Sequence, residues 1–266
     1  MKEAWTLSPE NSIMTEKSSN MVKINYLMRM KKWLIPAMIL LVIISCKNNS
    51  AEPQVNVIMP LGASRVQGSP PAYLSYRYEL WKQLRLNDYH VDFIGGEVDG
   101  EIYPLVNEEE FDPHHEGHSG WTSAQLLADL PNWTSRVDTP DVVLFSSPGG
   151  NDIIDGLSYE SAIENVVDIV QGLQAFNPEV TVVLEKMAPG HSLVMMIGPL
   201  GTNHARLLND IDSLASSLTT ASSEVLVIDM ATGFTDNMLA DPIHYNQDGA
   251  KFIADRYYSL LETILE

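Results

Sequence analysis

The sequence predicts a three-layer α/β/α domain built on a five-stranded parallel sheet. Three observations carry that reading. Five short apolar runs recur along the chain, stretches with helical periodicity separate them, and the runs are continuously apolar instead of alternating. Strands of that kind are covered on both faces, which places helices above and below them. With 266 residues the chain is long enough to enclose a sizeable core, and one domain is the expectation.

Taken in order, residues 55–62 ("VNVIMPLG") form the first strand and stop at a glycine. Leu74, Tyr78, Trp81 and Leu84 fall at helical spacing within 73–86, so a helix follows. Residues 90–96 ("HVDFIGG") give the second strand, 97–120 read as a long loop, and 122–130 start a short helix capped by Thr122 or Ser123. The third strand is 141–147, ahead of "PGGND". In 159–176, Ile163, Val166, Val167, Val170 and Leu173 line one face of an amphipathic helix. Residues 180–187 are the fourth strand, Asn203 to Leu218 a helix, 224–230 the fifth strand and 248–265 the closing helix.

Ahead of the domain, Arg29, Lys31 and Lys32 precede the apolar run Trp33 to Ile44, the pattern of a secretory signal and short for a transmembrane span. The single cysteine, Cys46, directly follows Ser45. This junction resembles the lipobox of bacterial lipoproteins, in which the cysteine is lipidated and becomes the mature N-terminus. Ile43 and Ile44 stand where leucine and a small residue are usual. The expected organisation is an extension and signal at 1–45, a polar tether at 46–54 and one domain at 55–266. Such a protein is exported and held to a bacterial membrane, on the periplasmic side or the cell surface, by a lipid on Cys46. One cysteine excludes a disulfide framework within the chain. The chain carries 16 Lys/Arg against 35 Asp/Glu, a net charge of −19, and the imbalance deepens once the basic signal is set aside. That surface repels nucleic acid and suits a polar, neutral or cationic substrate better than a polyanion.

Ligands of open parallel sheets bind at the carboxyl ends of the strands. Ser64 lies on the turn after the first strand, Gly120 after the second, Asn151 after the third, and Asp241 with His244 beyond the fifth. Acyl transfer needs this set. A serine hydroxyl becomes an effective nucleophile when a neutral imidazole takes its proton. A carboxylate fixes the imidazole tautomer and stabilises the imidazolium. Donors already in place hold the oxyanion, each worth roughly 3 to 4 kcal/mol on removal. The short step from Asp241 to His244 lets one turn join acid and base, while the Ser64 N–H, the Gly120 N–H and the Asn151 amide supply donors.

In this order the blocks resemble those of the SGNH (GDSL-type) hydrolase superfamily. They stand as Ser64 in "PLGASRVQG", Gly120 in "HSGWTS", Asn151 in "GGND", and Asp241 with His244 in "DPIH". "HHEGHSGWTSAQLL", with "IMPLG" and "VDFIGG", is most similar to carbohydrate esterases of the acetyl xylan esterase type, which remove acetyl groups from plant polysaccharides. The resemblance implies a flavodoxin-like sheet of order 2-1-3-4-5 and a catalytic triad of Ser64, His244 and Asp241. It also implies an oxyanion hole from Ser64, Gly120 and Asn151, an acylated carbohydrate or other small ester as substrate, and no metal or organic cofactor. One departure stands out: the family's Gly-Asp-Ser is Gly62-Ala63-Ser64 here. The missing aspartate is not the triad acid, so its loss bears on the hydrogen bonding of the turn, and on rate more than on reaction type. The same fold carries lipases, lysophospholipases and thioesterases, and Ala63 motivates one more alternative, a non-catalytic glycan-binding lipoprotein.

Residues 114–121, "HHEGHSGW", invite a metal reading. Paired ligands of the His-x-x-x-His type share a helix face, and Gly117 and Gly120 oppose a helix. The expectation is a loop held by hydrogen bonds from its histidines and Glu116, presenting the Gly120 N–H. Arg65 either meets substrate or pairs with the acidic surface, and Trp121 is either a sugar-stacking platform or part of the core. His191 and His204 read as solvated, and Met187, Met195 and Met196 as core filling or the lining of an acyl pocket.

Overall fold

The computed structural model describes residues 55–265; the expected signal, Cys46 and tether lie outside them. The sheet comprises β1 (Asn56–Gly62), β2 (Val91–Phe93), β3 (Glu97–Val98), β4 (His114–Gly117), β5 (Val142–Phe145), β6 (Thr181–Lys186) and β7 (Val225–Asp229). Five strands run parallel in the order β2-β1-β5-β6-β7, the expected 2-1-3-4-5 arrangement. The other two correct the reading of 97–120 as a loop. β4 pairs in parallel with the end of β1, Leu61 beside Glu116 and Gly62 beside Gly117, and β3 pairs antiparallel with β4.

β2 and β4 thus share one side of β1, the first along its start and the second along its end. The break between them has a steric mark at Gly95, where a Cβ would fall 1.9 Å from the His115 carbonyl carbon. The chain crosses itself there, so the second strand stops at Phe93 instead of continuing to Gly96.

The helices are α1 (Ser64–Gln67), α2 (Arg77–Leu86), α3 (Ser123–Thr134), α4 (Gly150–Ile154), α5 (Tyr159–Phe176), α6 (Ser192–Met195), α7 (Leu200–Leu218) and α8 (Gln247–Leu261). Successive strand residues point to opposite faces. Ile58, Leu144 and Val183 meet Leu80 and Leu84 of α2 and Ile253 and Tyr257 of α8 in one core. Met59, Leu61, Val143, Phe145 and Leu184 meet Leu126 of α3, Val166 and Val170 of α5 and Ile211 of α7 in the other. Each such side chain contributes roughly 1.5–3 kcal/mol by leaving water, and burial on both faces is why the runs show no polar alternation. Local chemistry sets the helix starts: Thr122 and Gln125 form a capping box on α3, and Ser158 caps α5. α2 begins later than periodicity suggests because Tyr73 and Leu74 form bridges with Ser69 and Tyr245. Among the described residues no helix is long and apolar enough to cross a membrane.

Candidate active site

β1 delivers Ser64 to the carboxyl edge of the sheet as the first residue of α1. With alanine at 63, no side chain caps this short helix. Two buried arginines hold it instead. Arg77 donates to Val66 O (2.7 Å) and Gln67 O (2.9 Å), and also reaches Pro113 O and Asp99. Arg65 donates to Ile243 O (2.7 and 3.0 Å), Ala188 O (2.7 Å) and Pro189 O (3.2 Å), and lies over the Tyr245 ring. The expected pairing of Arg65 with the acidic surface is corrected by this. At 6% exposure its guanidinium is taken up by backbone carbonyls, one of them adjacent to His244, so it braces the site instead of pairing with the acidic surface, and it also lines the pocket beside Ser64.

Asp241 and His244 lie on the turn ahead of α8. Asp241 Oδ1 accepts the N–H groups of Ile243 (2.8 Å) and His244 (2.7 Å), and Oδ2 lies 2.7 Å from His244 Nδ1. Burial pushes this carboxyl up, but the two backbone donors and the imidazole outweigh it and hold Asp241 below the usual carboxylate range. An ionised carboxylate only accepts, so Nδ1 carries a proton, which in the neutral ring leaves the lone pair on Nε2. Nε2 lies 2.8 Å from Ser64 Oγ. Tyr73, which sequence reasoning placed in a helix, stacks on the His244 ring at 3.9 Å and 17° and meets Ser119 Oγ at 3.3 Å. No local signal marks it, because the partner is distant in sequence.

The 114–121 segment is strand followed by turn. Glu116 is fully buried; it accepts Gly96 N–H at 2.5 Å and lies 2.6 Å from His118 Nε2. His118 in turn stacks on Trp121 at 4.0 Å and 11°, and Trp121 also packs against the second core. His115 Nδ1 accepts Gly117 N–H (3.0 Å), and burial pushes its pKa down to about 2, so the ring is neutral. His114 pairs with Asp112 at 2.8 Å. The three imidazoles serve separate partners, and among the described residues no three His, Cys, Asp or Glu side chains are grouped to hold a metal ion.

The two glycines differ in what they require. A Cβ on Gly117 would lie 2.7 Å from Gln67 N, so β4 presses backbone to backbone on the nucleophile helix. Gly120 has open space around it but a φ of +80°, which favours glycine for the backbone angle itself. Its N–H meets no acceptor among the described residues. Asn151, on α4, donates an Nδ2–H to Trp121 O at 2.7 Å, tying the end of β5 to the residue after Gly120. The second hydrogen on that nitrogen remains available to a ligand.

On the other side, Ser64 and Asn151 border a pocket walled by Ile153, Ile154, Met187, Met195, Leu200 and Ile243. His204, expected in solvent, is buried; its Nε2–H donates to Met187 O at 2.9 Å, and burial lowers its pKa. Glu185 of β6 is also fully buried and accepts from Ser147 N (2.7 Å), Ser146 Oγ (3.1 Å) and Tyr257 OH (2.7 Å). Burial raises its carboxyl above the usual range.

Residues 101–252 match the model of the GDSL-like Lipase/Acylhydrolase family, a span that holds Gly120, Asn151, Asp241 and His244, with Ser64 ahead of it. No curated protein matches the sequence. A carbohydrate esterase family 3 structure from Talaromyces cellulolyticus is 28% identical over 79% of this chain and 97% of its own, with a TM-score of 0.67. An acetyl esterase variant solved with an acetate ion is likewise 28% identical over 79% and 97%, with a TM-score of 0.66. A Clostridium thermocellum family 3 carbohydrate esterase, 24% identical over 80% of this chain and 100% of its own, shares the fold at a TM-score of 0.64.

Proposed function

Because the chain belongs to the GDSL-like lipase/acylhydrolase family and is a carboxylic ester hydrolase, we propose that it removes acyl groups, acetyl among them, from carbohydrate by a serine mechanism. The observation that carries this is the continuous contact from Ser64 Oγ through His244 to Asp241, at 2.8 and 2.7 Å. Ser64 Oγ attacks the ester carbonyl while His244 Nε2 takes its proton. The tetrahedral oxyanion draws on the Ser64 N–H, the Gly120 N–H and the free hydrogen of the Asn151 amide. The ester C–O bond breaks as the imidazolium returns the proton to the departing alcohol. Water, deprotonated by the same imidazole, then cleaves the acyl-serine and releases the carboxylic acid. Arg65 and Arg77 support the turn where the family aspartate is missing. The likeness to a family 3 carbohydrate esterase and an acetyl esterase favours acetylated sugar as substrate, and the rigid His118–Trp121 stack offers an aromatic rim for it.

Turnover of p-nitrophenyl acetate is expected to fall at least about 10³-fold in Ser64→Ala, and equal rates from both proteins would sink the mechanism. Acetate release from acetylated xylan, pectin and chitin oligomers then identifies the sugar. Export and lipidation belong to the same proposal, on the strength of the basic and apolar stretch before Cys46. Cys46→Ser is expected to move the protein from the membrane to the soluble fraction; undiminished membrane retention would remove the lipid anchor from the account.

A further inference from the structure

The pocket beside the nucleophile is larger and more apolar than an acetyl methyl requires. We propose that it is an acyl-chain site that prefers chains of about four or five carbons to acetyl. The inference rests on the esterase reading, since Ser64 and Asn151 border the pocket.

Beyond those two residues the apolar walls are Ile153 and Ile154 of α4, Met187 after β6, Met195 of α6, Leu200 of α7, and Ile243 beside His244, with Ser147 among the polar residues that also border it. Arg65 and His204 also line the pocket, but their donors are committed elsewhere: Arg65 donates to Ala188, Pro189 and Ile243 carbonyls, and His204 donates to Met187 O. A sugar hydroxyl entering here would leave water for hydrocarbon, whereas an acyl chain would gain by the same transfer. The alcohol of the ester has a better surface in the polar segment 114–121. The segment 187–200, which supplies Met187, Met195 and Leu200 to the pocket, also exposes the apolar side chains of Leu193, Met196 and Ile197.

Size sets the chain length. The cavity measures about 50 Å³, and a water-sized group needs roughly 10–15 Å³ on that measure, so about four carbon-sized groups fit beyond the carbonyl. Acetyl supplies one. Thioether side chains on two walls adapt to a flexible chain more readily than branched residues do.

Initial rates on p-nitrophenyl acetate, propionate, butyrate, hexanoate and octanoate, with the leaving group held constant, test this. kcat/KM is expected to rise roughly fourfold per methylene from acetate to butyrate and to fall again by octanoate. A flat series, or acetate as the best substrate, overturns the acyl-chain site and leaves the esterase intact. Turnover of every ester at the Ser64→Ala level overturns the esterase reading, and the acyl site with it. Met195→Trp and Ile154→Trp locate the site: each is expected to lower the butyrate-to-acetate ratio about tenfold. Ile154 is half exposed, so its variant keeps the test open if Met195→Trp does not fold. An unchanged ratio in a folded variant overturns the assigned lining.

Discussion

The two walls that flank Ser64 are held by opposite means. At 114–121 the side chains are bonded in sequence: Glu116 to Gly96 and His118, His118 to Trp121, and Trp121 O to Asn151. At 187–200, α6 buries none of its residues, and the segment is tethered at separate points, through Arg65, through His204 to Met187 O, through the His191 N–H to Pro242 O and through Ser192 to Asp236. Hydrogen bonds are directional, so the first wall can fix backbone and amide donors to within the fraction of an ångström that oxyanion stabilisation demands. Apolar contact is not directional, so the second wall can bind hydrocarbon without being rigid. Turnover and acyl selectivity are therefore separable, one in each wall.

Asn151→Ala probes the first wall most severely. It removes an oxyanion donor and the bond to Trp121 O together, and kcat is expected to fall about 10²–10³-fold with a smaller change in KM. A loss below tenfold in steady-state assays would mean that the polar wall does not hold the reacting oxygen.

A matched pair of truncations then compares stability. Glu116→Ala empties the place of a fully buried side chain and leaves the Gly96 N–H and the His118 ring without their shared acceptor, at a cost of about 2–4 kcal/mol. Met196→Ala, on a side chain 80% exposed, should stay within about 0.5 kcal/mol of the parent. Urea midpoints measured at constant m decide it, and equal losses in the two variants would erase the contrast between the walls.

The apolar wall and the sheet were more legible in sequence than the polar wall was. The runs at 55–62, 141–147, 180–187 and 224–230 mark their strands because hydrophobic burial is written in residue type. His114-His115-Glu116-Gly117 is equally a strand, yet three of its residues are buried through polar pairing, which composition does not reveal. Its pairing with β1 depends on contacts some fifty residues away in sequence. Ser64, Asp241 and His244 were identifiable because the chemistry dictates their types and their places at strand ends, and the structure brings them into contact. The bracing role of Arg65 was missed for the converse reason. A charged residue beside a nucleophile suggests substrate until three carbonyls from distant loops are seen around it. Tyr73 and Glu185 act across the fold on residues more than thirty positions away, so no local pattern exposes them.

Glu185 links the ends of β5 and β6, accepting from Ser146 and Ser147 and standing two residues ahead of Met187. Burial raises its carboxyl in the folded protein. Between its unfolded and folded pKa values the native state binds more protons than the unfolded chain, so stability falls as pH rises through that window and stays lowered above it. Asp241 has the opposite slope. Its folded pKa is depressed, so its contribution is present above the unfolded value and is lost as pH falls. Glutamine at 185 keeps an oxygen for Ser146 and Ser147 and an N–H that Tyr257 OH can accept, while removing the charge. Glu185→Gln is therefore expected to be the more stable protein at pH 7 and to lose that advantage toward pH 4, in thermal melts of both proteins across the range. Subtracting the two profiles cancels the Asp241 slope, which both share. A difference that does not change with pH would mean that Glu185 titrates alike in the folded and unfolded chain, and that water reaches its carboxyl in the native state.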